Sequence, residues 1–593
     1  MRRIANKESR SIEAGTMRKK LRRMKMLATG RMAICAFLFL SGLIFVSVTL
    51  PASGAGQRTS LLGGARGTVH EAEGNPLEGI GVQLISAKTA IRTTVYSNEE
   101  GKYEFPALEP GEYTVRVPLP REYQPYVKEG VRIEGPVQLV DIVLTRLSDT
   151  EFVPPTPETL SQLSGSEWML NLPGTGEQKR VFTLTCGFGC HSYQQIFRNR
   201  YDQRSWGLLL RKMMARGGGS PLILAGTPTA NSTDRAHRLL IQDEQFLAKW
   251  LSQVRGPDSP DEPLQFLPRP TGASTKVIIT EYELPRELLA PHDVHGDSKG
   301  NIWYTAHRSP YAGMLDPRTG IVKEYRIPGK EADTPNVLPG THRVWVDKND
   351  IVWFSENWDH YLTALDPKTG QIIHRFKVEG GKLNGSAFSN FAMDDHGFVY
   401  DSRGEEVAKI DSRTGEVVQK WLYKEATGGK YLGEGTYDSI ITPDGHYWAG
   451  TARGGLILDT TTGKMIPIES ADPAFPVGAR GGFDRDDNAW FGGRGGTLIK
   501  LNSKTHKFNQ WYSPVPYDTF YEALPDKNGE IWAGGLESGR MMRFNPKNEQ
   551  WTQYPMPEPY AHDRRTWIDN STNPVTVWFV DHEGFLVRVQ PLE

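Results

Sequence analysis

The chain has 593 residues, 38% of them hydrophobic and 23% charged, with 69 Lys/Arg against 70 Asp/Glu. That length exceeds one ordinary core and predicts two to four domains of ordinary soluble composition. Eleven of the basic residues fall in the first 31 positions, and the rest of the chain carries 58 basic and 68 acidic residues, a net charge near −10. So acidic a body is excluded as an electrostatic binder of nucleic acid.

The basic stretch is followed by an uncharged apolar run at 32–50 and then by Pro51-Ala52-Ser53-Gly54-Ala55. These are the three regions of a secretory signal, and the Lys/Arg excess before the run places the remainder of the chain outside the cytoplasm. Nineteen apolar residues nearly suffice to span a bilayer, so residues 1–55 are read as a signal peptide or an uncleaved membrane anchor. Met17 and Met24 are alternative starts. Either way the expectation is a periplasmic or secreted body, with any membrane contact confined to this segment.

Between residues 67 and 148 short runs of alternating apolar and polar residues are broken by turn residues, as in Tyr103-Glu104-Phe105 and Tyr113-Thr114-Val115. Six or seven such strands predict a β-sandwich. The pattern GTVHEAEGNPLEGIGVQLI…YSNEEGKYEFPALEPGEYTVRV resembles the carboxypeptidase regulatory-like domain, a transthyretin-like sandwich. The resemblance implies a spacer or adhesive module, with carbohydrate binding in some relatives. After Pro154, Pro155 and Pro157 the period becomes helical, and residues 158–257 read as a small α-helical domain. Trp206, Leu209, Leu210 and Met213 share one helix face there, as do Phe246, Leu247, Trp250 and Leu251.

Residues 275–593 are repetitive. An aromatic residue preceded by an apolar one recurs at Trp303, Trp353, Tyr400, Trp448, Trp490, Trp532 and Trp578. A turn of the form Asp-x-x-Thr-Gly begins at Asp316, Asp366, Asp411 and Asp459. Four strands per unit and seven units predict a seven-bladed β-propeller. The last unit lacks a fourth strand, and residues 277–282 supply one from before the first unit. The fold class is therefore mainly β, a propeller preceded by a sandwich and a helical domain.

In each blade the loop entering the inner strand and the loop leaving the second strand open on one face. Round the ring these positions hold His292, His307, His342, Glu356, Asn384, Asp401, Arg403, Glu434, Tyr437, Arg453, Arg480, Arg494, Tyr521, Glu522, Glu537, His562, Arg565, Asp581 and His582. The pocket is expected at His292, His342 and Glu356, with charged help from Arg403, Glu434 and Arg494. Convergent ionisable groups define a ligand or catalytic pocket. The repeat Gly-x-Ile-Trp-Phe-[Ser/Thr]-Glu followed by Asp-Pro-x-Thr-Gly is similar to that of the virginiamycin B (streptogramin) lyases, which open a cyclic ester by elimination. That resemblance implies His342 as general base, His292 as a second catalytic histidine, and Glu356 as both a catalytic partner and a Mg2+ ligand. Gly340 stands where the family places a further glutamate.

Cys186-Gly187-Phe188-Gly189-Cys190-His191 resembles the haem-attachment motif of c-type cytochromes, with three residues rather than two between the cysteines. It implies covalent haem on Cys186 and Cys190, with His191 on the iron and Met213, Met214 or His237 on the far side. A disulfide and two free thiols are the other readings of the pair. Three functions are compatible with these features. One is an exported propeller that binds a small molecule at the channel mouth and cleaves it by elimination. Another is a haem electron-transfer protein with a redox partner. The third is a carbohydrate-binding or envelope scaffold.

Overall fold

The structure is a computed structural model, and it describes residues 61–148, 152–186, 192–216, 235–286, 290–328, 340–356, 361–378, 391–403, 406–429, 439–451, 454–469, 480–558, 563–581 and 584–593. The signal or anchor region lies outside these residues. No helix among them is long and apolar enough to cross a membrane.

Seven antiparallel four-stranded units follow one another along the C-terminal half. Blades one to six run in simple chain order, beginning with Pro291–Gly296, Thr341–Val346, Ala392–Met393, Ser439–Ile441, Arg480–Phe483 and Glu522–Pro525. Blade seven joins Asp563–Asp569, Thr576–Asp581 and Phe585–Pro591 to Val277–Glu283, which pairs antiparallel from Val277 with Pro591 to Glu283 with Phe585. The first propeller strand thus closes the ring on the last, as the sequence predicts. The inner strands of blades one and two are neighbours, as are those of blades three to seven in succession, and blade seven returns to blade one.

In five of the seven blades the turn is held by a device the aromatic spacing only hints at. Six residues before the repeat aromatic of those five stands an aspartate, and in blade seven Thr572 holds that place. Asp297 accepts two backbone N–H groups on Oδ1, from Lys299 and Asn301, and the Trp303 indole N–H on Oδ2. Asp347, Asp484 and Asp526 do the same for Trp353, Trp490 and Trp532, and Asp394 receives the Tyr400 hydroxyl. A carboxylate satisfies the turn and the buried ring together, so strand entry and core are fixed by one side chain. Blade four has Thr442 instead, which bonds the His446 N–H but leaves the buried Trp448 Nε1 without a partner. The Thr442 hydroxyl also donates to Asp444, so the double variant Thr442→Asp, Asp444→Asn, which avoids opposed carboxylates, should raise stability by about 1 kcal/mol. Urea unfolding of the two proteins checks this, and an unchanged midpoint would reject it.

The sandwich has a three-stranded sheet, Lys102–Glu104, Arg66–Glu71 and Ile142–Leu144, and a four-stranded one. The latter orders Arg92–Tyr96, Gly81–Ser86, Gly111–Arg116 and Val127–Ile133. Val69, Val82, Leu84, Tyr103, Phe105 and Val115 fill the space between them, together with Ile278 from the propeller. Arg92–Tyr96 pairs antiparallel with Val277–Glu283, making sandwich and blade seven one eight-stranded sheet. Buried Gln83 bonds Glu281, while Arg92 and Arg116 both reach Glu558. The sandwich is thereby fused to the closing strand, which nothing in its alternation announces.

The helical segment packs Trp168, Phe182, Tyr193, Phe197, Trp206 and Trp250 into an aromatic core that also touches Tyr517 of the propeller. Its helix Gly165–Asn171 begins at Ser164 with a capping box completed by Glu167. Two bonds anchor it on blade six, from Ser166 N to Glu537 O and from Tyr193 N to Glu537 Oε2, each 2.8 Å.

Candidate functional site

At one end of the channel the inner strands of blades one, two and seven each carry a bulge. Thr305 pairs with Asp293 and Ala306 with Pro291, which leaves His292 over. Thr341 pairs with Glu356 and Val344 with Phe354, which sets His342 and Arg343 against Ser355 alone. Asp563 pairs with Asp581 and Thr566 with Phe579, which does the same for Arg564 and Arg565. Bulges bend a strand and re-aim side chains. Three neighbouring strands using one device at one end turn these histidines and arginines toward the hub.

His292, His342 and His307, the last from just beyond the second strand of blade one, stack on one another. Ring centroids are 3.8 Å apart for His292 and His342, 4.2 Å for His292 and His307, and 5.0 Å for His307 and His342. Around them runs a polar chain. Asp293, fully buried, takes His292 Nδ1 at 2.6 Å and both of its oxygens lie 3.0 Å from Arg480 Nη1. Arg480 Nη2 donates to His342 Nδ1 at 3.2 Å, and His292 Nε2 meets the Tyr521 hydroxyl at 3.0 Å. Arg565 lies 3.8 Å from Asp293 and pairs with Glu522 at 3.0 Å.

The charges of this cluster follow from burial. Burial, with His292, Arg480 and His307 close by, holds His342 well below the usual histidine range. Burial and then Arg564 bring His307 down to about 3. Both rings are therefore uncharged at neutral pH; the lone pair of His342 accepts from Arg480, while His307 Nε2 is buried without a partner. Burial alone would raise Asp293, but Arg480 and Arg565 outweigh it and hold the carboxyl below its usual range. His295, brought to about 4 mainly by burial, lies outside the trio, between Trp345 and Trp567.

Two of the three catalytic residues named from the sequence, His292 and His342, thus lie together, and the third is placed differently. Glu356 is fully buried, and its carboxylate is forked by Arg375 at 2.8 Å on both oxygens and takes the Thr363 hydroxyl at 2.5 Å. The carboxylate that partners the imidazoles is Asp293. Nor do these residues suit Mg2+, a hard cation that takes oxygen ligands. The close cluster offers nitrogen, and Glu356 is engaged by an arginine. At Gly340 a Cβ would stand 1.9 Å from the His307 carbonyl oxygen, so this backbone admits no glutamate there.

Asp293 and the bulges were missed in the sequence. An Asp directly after a His on an inner strand was a usable signal, whereas the bulges leave none. The side chains of Arg403 and Arg494, and all of Glu434, fall outside the described residues. So do Cys190 and His191; Cys186 ends the helix Gly176–Cys186 against the aromatic core. Met213 is exposed on its helix rather than packed in the core, and the side chains of Met214 and His237 are not among those described.

A propeller with a buried histidine cluster at its hub is the class of protein that fold and site define. Residues 64–145 match the carboxypeptidase regulatory-like domain family. No curated protein matches the chain. Among solved structures, virginiamycin B lyase from Staphylococcus aureus aligns at 15% identity and a TM-score of 0.44, covering 53% of this chain and 99% of its own. A streptogramin B lyase aligns at 17% identity and a TM-score of 0.45, covering 54% of this chain and 100% of its own. A catalytically inactive virginiamycin B lyase with quinupristin, from the same organism as the first, gives 16% identity and a TM-score of 0.45 over 53% of this chain and 99% of its own.

Proposed function

We propose that this chain is an exported protein that binds a small molecule at the histidine-bearing end of the channel and opens it by elimination. The observation that carries the reading is the convergence of three imidazoles on the hub, beside Arg480 and Arg565. In such an elimination a proton leaves a carbon next to a carbonyl, a carbon–oxygen bond breaks, and the departing oxygen is protonated. The step needs lone pairs at the carbon and positive charge near the oxygen that gains electrons. Uncharged imidazoles supply the first, and the buried arginines supply the second.

The test is incubation of the full chain with quinupristin and with simple esters bearing oxygen β to a carbonyl, read by mass spectrometry. Elimination opens a cyclic ester without changing its mass, whereas hydrolysis adds one water. The expected result is the isobaric opened product, lost in folded His342→Ala and His292→Ala proteins. A hydrated product, or equal turnover in both variants, would remove the proposal.

A further inference from the structure

We propose that His292, His307 and His342 together bind one borderline transition-metal dication of the zinc(II) or cobalt(II) kind. The inference rests on the channel end being the functional site and names the cofactor that site would take. Among the described residues, theirs is the one group of three or more His, Cys, Asp or Glu side chains close enough to share an ion. Their ligand atoms lie within 4.8 Å of one another. Nitrogens sharing one zinc ion stand about 3.3 Å apart at bond lengths of about 2.0–2.1 Å, so modest ring rotation closes the site. Imidazole is the donor that suits zinc, copper, nickel and iron, and three protein ligands leave a coordination position open.

Two further observations point the same way. His307 Nε2 is buried and has no hydrogen-bond partner. An atom so placed is destabilising, and a metal bond would remove the deficit. His292 in turn has its Nδ1 on Asp293, so it would ligate through Nε2, which would give up its bond with the Tyr521 hydroxyl. A carboxylate behind a ligating histidine is the usual support of a metal site, because it fixes the tautomer and the ring. Asp293 is itself clamped by Arg480.

Binding has two consequences for its neighbours. His342 would ligate through Nε2, its Nδ1 would carry the proton, and the bond from Arg480 to Nδ1 would be released while the fork on Asp293 remains. With the ion bound all three imidazoles are ligands and none is left as the base of the elimination, so the metal site and the imidazole-base reading are alternatives for this channel end. The dication also joins Arg480 and Arg565, which Asp293 and Glu522 already balance. The added charge calls for an anion in the open position, such as the carboxylate or enolate oxygen of an acidic small molecule.

The experiment uses the full chain without a histidine tag, freed of metal by chelation and titrated with Co2+. Expected are one equivalent bound, the strong visible bands of a four- or five-coordinate nitrogen site, displacement by Zn2+ and none by Mg2+. His307→Gln should weaken binding at least about 100-fold while the near-ultraviolet circular dichroism stays native. X-ray absorption on the wild-type protein with one equivalent of Zn2+ gives a second readout that needs no variant. A shell of three imidazoles supports the site. A sulfur shell, which would place the metal on the cysteines, or an oxygen-only shell overturns it. So does affinity unchanged in a folded His307→Gln protein. None of these readouts uses turnover, so the metal site and the elimination reaction stand or fall separately.

Discussion

Arg480→Leu should lower the unfolding free energy by about 3–5 kcal/mol, among the largest single losses available in the propeller. Asp293 has no solvent exposure and both of its oxygens are held by Arg480. Without the guanidinium a carboxylate is left buried with only His292 and the more distant Arg565, or it takes up a proton at a cost. His342 loses its donor as well. The double variant Arg480→Leu, Asp293→Asn removes the orphaned charge and should recover much of the loss. Urea unfolding of the wild type, both single variants and the double variant measures the coupling, and additivity within about 0.5 kcal/mol would show that the pair is not coupled.

The second large effect lies where the helical segment meets blade six. Glu537 accepts the Tyr193 N–H on Oε2, its own N–H bonds Asp518, and its Oε1 is buried without a partner. Burial first, and then the nearness of Asp518, hold the Glu537 carboxyl well above the usual range, against the pull of the Tyr193 bond. Burial likewise pushes Asp518 up to about 6 despite bonds from Ser538, Thr519 and Glu537. For Glu537 the folded pKa exceeds the unfolded one. Between the two values the folded chain keeps a proton that the unfolded chain has released, so stability falls as pH rises. Glu537→Gln cannot ionise and keeps an oxygen for the Tyr193 N–H. The variant should match the wild type near about pH 4 and gain on it by about 1.4 kcal/mol per pH unit above that, levelling at the folded pKa. A stability difference independent of pH would mean that Glu537 is ionised in the native protein.

Much of the architecture is legible because repeats are. Seven aromatic positions at spacings of 42 to 50 residues, with Asp-x-x-Thr-Gly turns between them, determine blade number and strand count. The incomplete seventh unit and the spare run at 277–282 determine how the ring closes. The sandwich is legible for the same reason, in alternation and turn residues. Its attachment is not, since Arg92–Tyr96 reads as any sandwich strand and its partner lies some 185 residues on. At the site, loop position alone brought His292 and His342 to one face. It misplaced Glu356, because a strand end shows on which side of the blade a residue lies but not which neighbour it bonds. Arg375, on the outermost strand of the same blade, claims that carboxylate, while Asp293 inherits the role expected of it. Bulges escape for a related reason: the residue left over is defined by the partner strand's register, which one strand's pattern does not contain.

The closing strand also bears on the order in which this chain folds. Val277 must find Pro591, more than 300 residues later, and such distant pairings are slow and leave edges open to other chains in the meantime. Its other partner, Arg92–Tyr96, precedes it in the chain. A polypeptide that emerges from its N-terminus has the sandwich in hand before the propeller exists. Val277–Glu283 can therefore dock on a finished sheet at once, with Ile278 buried in the sandwich core. One edge of the strand is capped from then on, and the other faces the position that Phe585–Pro591 will fill. A sandwich formed first would thus hold in place the strand on which the ring later closes.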